Sequence, residues 1–352
     1  MFIAATARER WVLGLLGLLA LAGCAGVSPT HVTADRMDYG QVVAESWKRQ
    51  TLMNVVRMRY ADAPMFLEVN SIINSYTLGG NANAQATIPR SAADVLQLGA
   101  TANWSNTPTV TYQPLIGDRF TRSLLQPIPP VAVFQLLQGG WPVNLVFETV
   151  VSSVSGLRNA ASGVAADPGF SELRERLSRI QRGGDIGIRI EPRKNGDAVV
   201  AVIRSAKAGT ELNEDNLRIR ELLGLPSYAS EFEITYGLIP RHPSEVAMLT
   251  RSMMEIMLQL GVGVDIPAAD SAKVFTSQWQ PGTEKAKPLV HIRSGAEAPA
   301  DAYAAVPYRG NWYWIEDTDI ASKRTFTFLL ILFSLAETGQ SAAAPVVTVP
   351  SR

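Results

Sequence analysis

The residues of this chain that could do chemistry are few and scattered. Glu316-Asp317-Thr318-Asp319 places three carboxylates in four residues. A divalent cation prefers such oxygens. The run also lies just ahead of an apolar helical pattern, where a cap and acids near the positive helix end use the same residues. No metal is expected there. His31, His242 and His291 lie far apart, and none sits in a His-Glu-x-x-His or His-x-x-x-His spacing, so no zinc site is expected. The chain has no nucleophile elbow, Ser-x-x-Lys pair or phosphate loop, and no cofactor motif. Gly261-Val262-Gly263 follows a helical pattern instead of opening one, and reads as a helix stop. Trp312-Tyr313-Trp314, with Tyr308, is an aromatic cluster on a predicted hairpin. It could be a stacking platform for a glycan or peptide. Strand alternation would instead place Trp312 and Trp314 on one face, against the helix that follows. We take the second reading, since aromatics dominate cores as well as sites.

That leaves Cys24, the one cysteine in 352 residues. Arg8 and Arg10 precede an uncharged run from Trp11 to Ala22. This run falls short of the roughly 20 apolar residues that a spanning helix needs. A basic start followed by a short apolar stretch is the pattern of a secretory signal. Its end, Leu21-Ala22-Gly23-Cys24, resembles the lipobox of bacterial lipoproteins. The resemblance implies a diacylglyceryl thioether on Cys24, cleavage before it and acylation of the new amino terminus. Ala25 follows, where lipoproteins held at the inner membrane usually carry Asp. The resemblance therefore implies an outer-membrane, periplasm-facing location, with the membrane engaged through Cys24.

The body must fold around that anchor. The full chain is 47% hydrophobic and 8% aromatic, ordinary values for a globular chain. The chain carries 32 basic and 32 acidic residues. That balance gives no electrostatic reason to expect nucleic acid. The expected class is α+β: short antiparallel sheets and hairpins covered by amphipathic helices, with a buried C-terminal helix. The expected divisions are a signal at 1–23, a tether at 24–36, an N-terminal region at 37–160 and a C-terminal region at 161–352. The two regions can also pack as one body.

Within the body, the spacing predicts a helix over 38–59 and a strand over 65–76. Residues 79–93 read as a loop. A hairpin over 95–114 would turn at Ser105-Asn106-Thr107-Pro108. A helix from Pro129-Pro130 and a strand over 141–154 follow. Small residues at 159–166 mark the boundary. Next come a helix over 168–181, a hairpin turning at Asn195-Gly196, a helix over 213–223 and a strand over 232–236. Residues 244–260 read as the strongest amphipathic helix, with Val246, Leu249, Met253, Ile256, Met257 and Leu260 inward. A strand at 289–293, a hairpin turning at Arg309-Gly310, a helix over 319–337 and a last strand at 346–349 complete the pattern. The run Phe326–Ala336 is too short to span a bilayer and reads as a buried core helix.

The segments Tyr112–Phe120 and Trp312–Arg324 are similar to those of an uncharacterised family of Gram-negative lipoproteins, which implies one shared body and no known activity. The expected role is a non-enzymatic binding or scaffolding lipoprotein with an envelope protein partner. The alternatives are a periplasmic hydrolase of glycan or peptide and a carrier of a lipid or other apolar ligand.

Overall fold

The computed structural model describes residues 29–87, 95–161, 163–184, 186–191, 198–203, 209–274 and 288–337. Cys24 and the lipobox residues Leu21, Ala22 and Gly23 lie outside them, as do the expected turn at 194–197 and the strand at 346–349. Two units divide the chain, Met1–Lys48 and Arg49–Arg352. Helix α1, Pro29–Arg59, spans the division. Residues 29–36, expected as part of a tether, are its first turns. In the second unit Leu52, Val55 and Val56 of α1 are fully buried. The helix ends as expected before Pro64, with Ala61 in a left-handed conformation.

A long hairpin follows, and it corrects two expectations. Strands β1 (Leu67–Thr87) and β2 (Val95–Pro114) pair antiparallel, from Leu67↔Pro114 to Thr87↔Val95. Ser105, Asn106 and Thr107 do not turn the chain; they pair with Thr77, Tyr76 and Ser75 in mid-strand. Residues 79–87, expected as a loop, are strand. Small Gly, Ala and Asn residues look like loop composition, yet they alternate with the two-residue period of a strand.

The core is built on a six-stranded sheet of order β4-β3-β8-β7-β6-β5. Its strands are β3 (Val151–Val154), β4 (Leu157–Arg158), β5 (Ile186–Glu191), β6 (Ala198–Ile203), β7 (Glu231–Tyr236) and β8 (Glu245–Thr250). All neighbours are antiparallel except β7 and β8, which run parallel. The sheet takes strands from both sides of residues 159–166. Within that stretch Asn159 is buried, and its amide donates to the carbonyls of Phe147 and Val151 at 3.0 and 2.7 Å.

Strand β8 corrects the expected helix over 244–260. Val246, Ala247 and Met248 are all buried, so the strand is covered on both faces and lacks polar alternation. Arg251 breaks the run, and a new helix starts behind the capping box of Ser252 and Glu255. The expected strand over 141–154 also divides. Residues Val143–Val150 are helical before β3 begins. Their β-branched composition favours a strand, but packing overrides so weak a preference.

The helices of this region are α2 (Gly117–Phe120, continued by a π turn to Leu125), α3 (Pro130–Gln138), α4 (Val143–Val150), α5 (Pro168–Gly183), α6 (Glu211–Leu223) and α7 (Met253–Gly261), of which α3, α4 and α5 lie against the sheet. A 3₁₀ turn spans Ala268–Lys273. A second, three-stranded sheet has the order β10-β11-β9, with β9 (Arg293–Gly295), β10 (Ala304–Tyr308) and β11 (Asn311–Ile315). The two-residue turn Arg309-Gly310 takes positive φ at both positions, as tight hairpins require. Helix α8, Ile320–Glu337, buries Phe326, Phe328, Leu329, Leu332 and Phe333. Among the described residues no helix is long and apolar enough to cross a membrane. The fold is α+β, with a buried C-terminal helix.

Candidate functional site

The sheet face toward α3, α4 and α5 does not close on those helices. A cavity of about 790 Å³ lies between them. Alternation along β7 and β8 sends Phe232, Ile234, Val246 and Met248 into it. Phe134 and Leu137 come from α3, Val143 and Phe147 from α4, and Leu173 and Leu177 from α5; Ala201 of β6 completes the floor. Interiors normally contain few voids larger than a water molecule, because unfilled space forfeits dispersion contacts. A cavity of this size is in the range of small-molecule sites.

Polar groups gather only at its mouth. Two of them brace it. The Gln181 amide accepts from the Val143 N–H and donates to the Trp141 carbonyl, both at 2.9 Å. Gln138 donates to the Ile188 carbonyl at 2.8 Å, joining α3 to β5. Exposed Arg182 makes a 3.3 Å bond back to the Ser178 carbonyl. The arrangement is an apolar chamber with a polar rim. Ser178 supplies the one hydroxyl among the described residues of its lining, and no His, Cys, Asp or Glu is among them.

A second, polar cleft of about 510 Å³ lies on the opposite face of the same sheet, lined by Glu231, Glu233, Thr235, Arg241, His242 and Glu245. Buried Glu245 accepts from the Thr235 hydroxyl and from the Arg241 N–H. The Thr235 hydrogen bond above all holds its carboxyl below the ordinary range. Glu231 pairs with Arg189 at 3.1 Å. Two-carboxylate hydrolysis needs one acid that keeps its proton near neutrality. Every carboxyl group displaced from its ordinary pKa among the described residues is displaced downward. Glu245 and Glu231 thus each have polar partners within the cleft.

Serine, histidine and aspartate do meet elsewhere, but without triad wiring. The His291 ring contacts Asp265 Oδ2 at 3.0 Å. Ser322 Oγ accepts from the His291 backbone N–H and donates to Asp319 at 2.6 Å. A triad needs the ring nitrogen on the hydroxyl. Asp319 instead caps α8, also accepting from the Ser322 N–H. Its neighbours form ion pairs, Glu316 with Arg293 and Asp317 with Lys323. The expected cap is therefore present, and among the described residues no cluster suited to a metal is found.

The aromatic cluster is placed opposite to expectation. Tyr313 and Ile315 are the buried positions of β11, and Trp312 faces out. Tyr313 is drawn inward by its hydroxyl, 2.6 Å from that of Tyr60, which donates in turn to Asp270 at 3.1 Å. Arg309 lies over the Tyr60 ring and pairs with Asp62 at 2.8 Å. A buried tyrosine with a partner for its hydroxyl competes well with tryptophan for the inner face. The network ties α1 to the hairpin. It reads as structure.

A third charged cluster clamps α5 to α6. Glu172 bridges Arg176 and Arg218, each at 2.9 Å. These hydrogen bonds, that of Arg218 foremost, pull its carboxyl from 4.5 down to about 2. A lowered folded-state pKa means that the clamp stabilises fully above 4.5 and is lost as pH falls toward about 2. The thermal stability gap between the wild type and Glu172→Gln is expected to be constant near neutrality and to close over that acid window. A gap unchanged at pH about 2 would contradict the clamp.

The expected site residues thus lie either outside the described residues (Cys24 and its box) or on β11, where Tyr313 is buried in the tyrosine network and Trp312 is exposed. The cavity was not foreseen. No family model, no curated protein and no solved structure matches the chain.

Proposed function

We propose that this chain is a lipid-anchored envelope protein that binds an elongated apolar ligand between its sheet and helices α3–α5. The observation that carries the reading is the 790 Å³ cavity with its apolar walls and braced polar mouth. It favours the carrier among the roles expected from sequence, because a scaffold needs no internal chamber and apolar walls offer an apolar ligand its contacts. Gln138 and Gln181 spend their amides on backbone partners, so they hold the mouth open without taking up the ligand. The natural ligand class is a fatty-acyl chain or a molecule of similar shape. Binding is tested by titrating the purified chain with cis-parinaric acid. Saturation at one probe per chain supports the reading, and non-saturable partition contradicts it.

The anchor is the second half of the proposal, supported by the lipobox pattern at Leu21–Cys24. One acyl chain holds a protein to a bilayer only marginally, so the two or three chains on a processed cysteine are what make attachment stable. Cys24→Ser is expected to move the protein from the membrane fraction to the wash. Retention in the membrane fraction would refute acylation as the means of attachment.

A further inference from the structure

The β1–β2 hairpin has no role in the cavity, and its pattern calls for an environment of its own. The strands run 21 and 20 residues, roughly 65 Å at ~3.3 Å per residue. They form a sheet of two, and each makes its main contacts with the other. A two-stranded ribbon is marginal in water.

The register sorts its residues cleanly. Leu78 pairs with Trp104, Ala82 with Ala100 and Ala84 with Leu98, so these positions share one face. Asn81 pairs with Thr101 and Gln85 with Gln97 on the other. From 77 to 87 and from 95 to 105, one face is wholly apolar or glycine and the other is almost all uncharged polar. No charged residue occurs from Val69 to Pro89 or from Val95 to Gly117; the charges are Glu68 and Asp118 at the base and Arg90 and Asp94 in the connecting sequence. Tyr76 and Trp104 fall on the apolar face at the body end of this zone, and Pro108 pairs with Asn74 beyond it. A tilted transmembrane strand needs about 9–11 residues with this alternation and is flanked by aromatic girdles at both interfaces; the aromatics here mark the body end.

We propose that this hairpin inserts into a bilayer, and that copies of this chain close their hairpins into one β-barrel with the Asn, Gln and Thr face lining its lumen. Closure follows from the backbone. A lone hairpin has two edges of unpaired N–H and C=O groups, which lipid does not tolerate. Two strands per chain and a smallest barrel of about eight strands set a minimum of about four copies.

The test uses the full chain reconstituted in phosphatidylcholine–phosphatidylglycerol vesicles, with three readouts: protease protection of the hairpin, release of a small entrapped dye, and cross-linked mass. Binding to vesicles alone is not a readout, since an acyl anchor would also give it. The wild type is expected to show protection, release and a species of four or more chains. Ala84→Lys, on the lipid face, is expected to lower protection and release at least tenfold. Asn83→Lys, at the adjacent lumen position, should stay within about twofold of wild type. Thermal unfolding of both variants checks that the body remains folded. A hairpin fully digested in the wild type, a monomer that inserts alone, or equal effects of the two lysines would each overturn the proposal. It stands or falls separately from ligand binding in the cavity, which neither lysine touches.

Discussion

Asp215→Ala is expected to cost about 3 kcal/mol of stability. The Asp215 side chain is 2% exposed. It accepts from Arg176 Nη1 at 2.6 Å and from Arg179 through Nη2 at 2.6 Å and Nε at 2.8 Å. The Arg179 hydrogen bonds hold its carboxyl below the ordinary range, so the group is ionised across the physiological window. Among the described residues, removing it leaves Arg176 with Glu172 alone and Arg179 with only a 3.8 Å contact to Glu211. Losing one partner of a buried pair costs about 3–5 kcal/mol, and the partial exposure of both arginines favours the lower figure. Denaturant unfolding checks this. A loss under about 1 kcal/mol would mean that Asp215 adds little to the contacts that hold α5 against α6.

The second large effect has the opposite sign. Ala201→Phe is expected to raise stability by about 1 kcal/mol and to weaken apolar ligand binding at least tenfold. Ala201 is buried on β6 and opens onto the cavity beside Phe232. A phenyl ring there gains about 2 kcal/mol of burial and loses part of it to rotamer entropy. Phenylalanine also suits a strand. The same ring occupies space that the ligand needs. A site that costs stability when empty is the pattern expected of function, and filling it exchanges one for the other. If the variant lost stability while binding held, the void would be an ordinary feature of packing.

How much of this was legible in the sequence depended on whether local pattern and tertiary environment agreed. They agreed for α5, where Pro168 opens the helix and Leu173 and Ile180 mark its buried stripe. They agreed for the β10–β11 turn and for α8. They disagreed at β8, where Val246, Ala247 and Met248 are buried on both faces and the alternation that signals a strand is absent. They disagreed again at 143–150, a helix written in strand-favouring residues. At Tyr313 the strand was foreseen, but its inward face was not. Choosing the face required knowing that Tyr60 and Asp270, far away in sequence, would offer polar partners. The cavity was invisible for the same reason. Its walls come from α3 through β8, and each residue alone reads as ordinary core. The long hairpin was half legible: its alternation was there, but small residues disguised it as loop.

The central claim is that the chamber between the sheet and helices α3–α5 holds an apolar ligand. The most direct test is a crystal of the full chain grown with a bromine-labelled fatty acid. The account predicts one anomalous bromine peak per chain, within contact of Phe147, Leu173, Phe232 and Met248. A chamber without bromine, with the label on the protein surface or absent from the crystal, would contradict it.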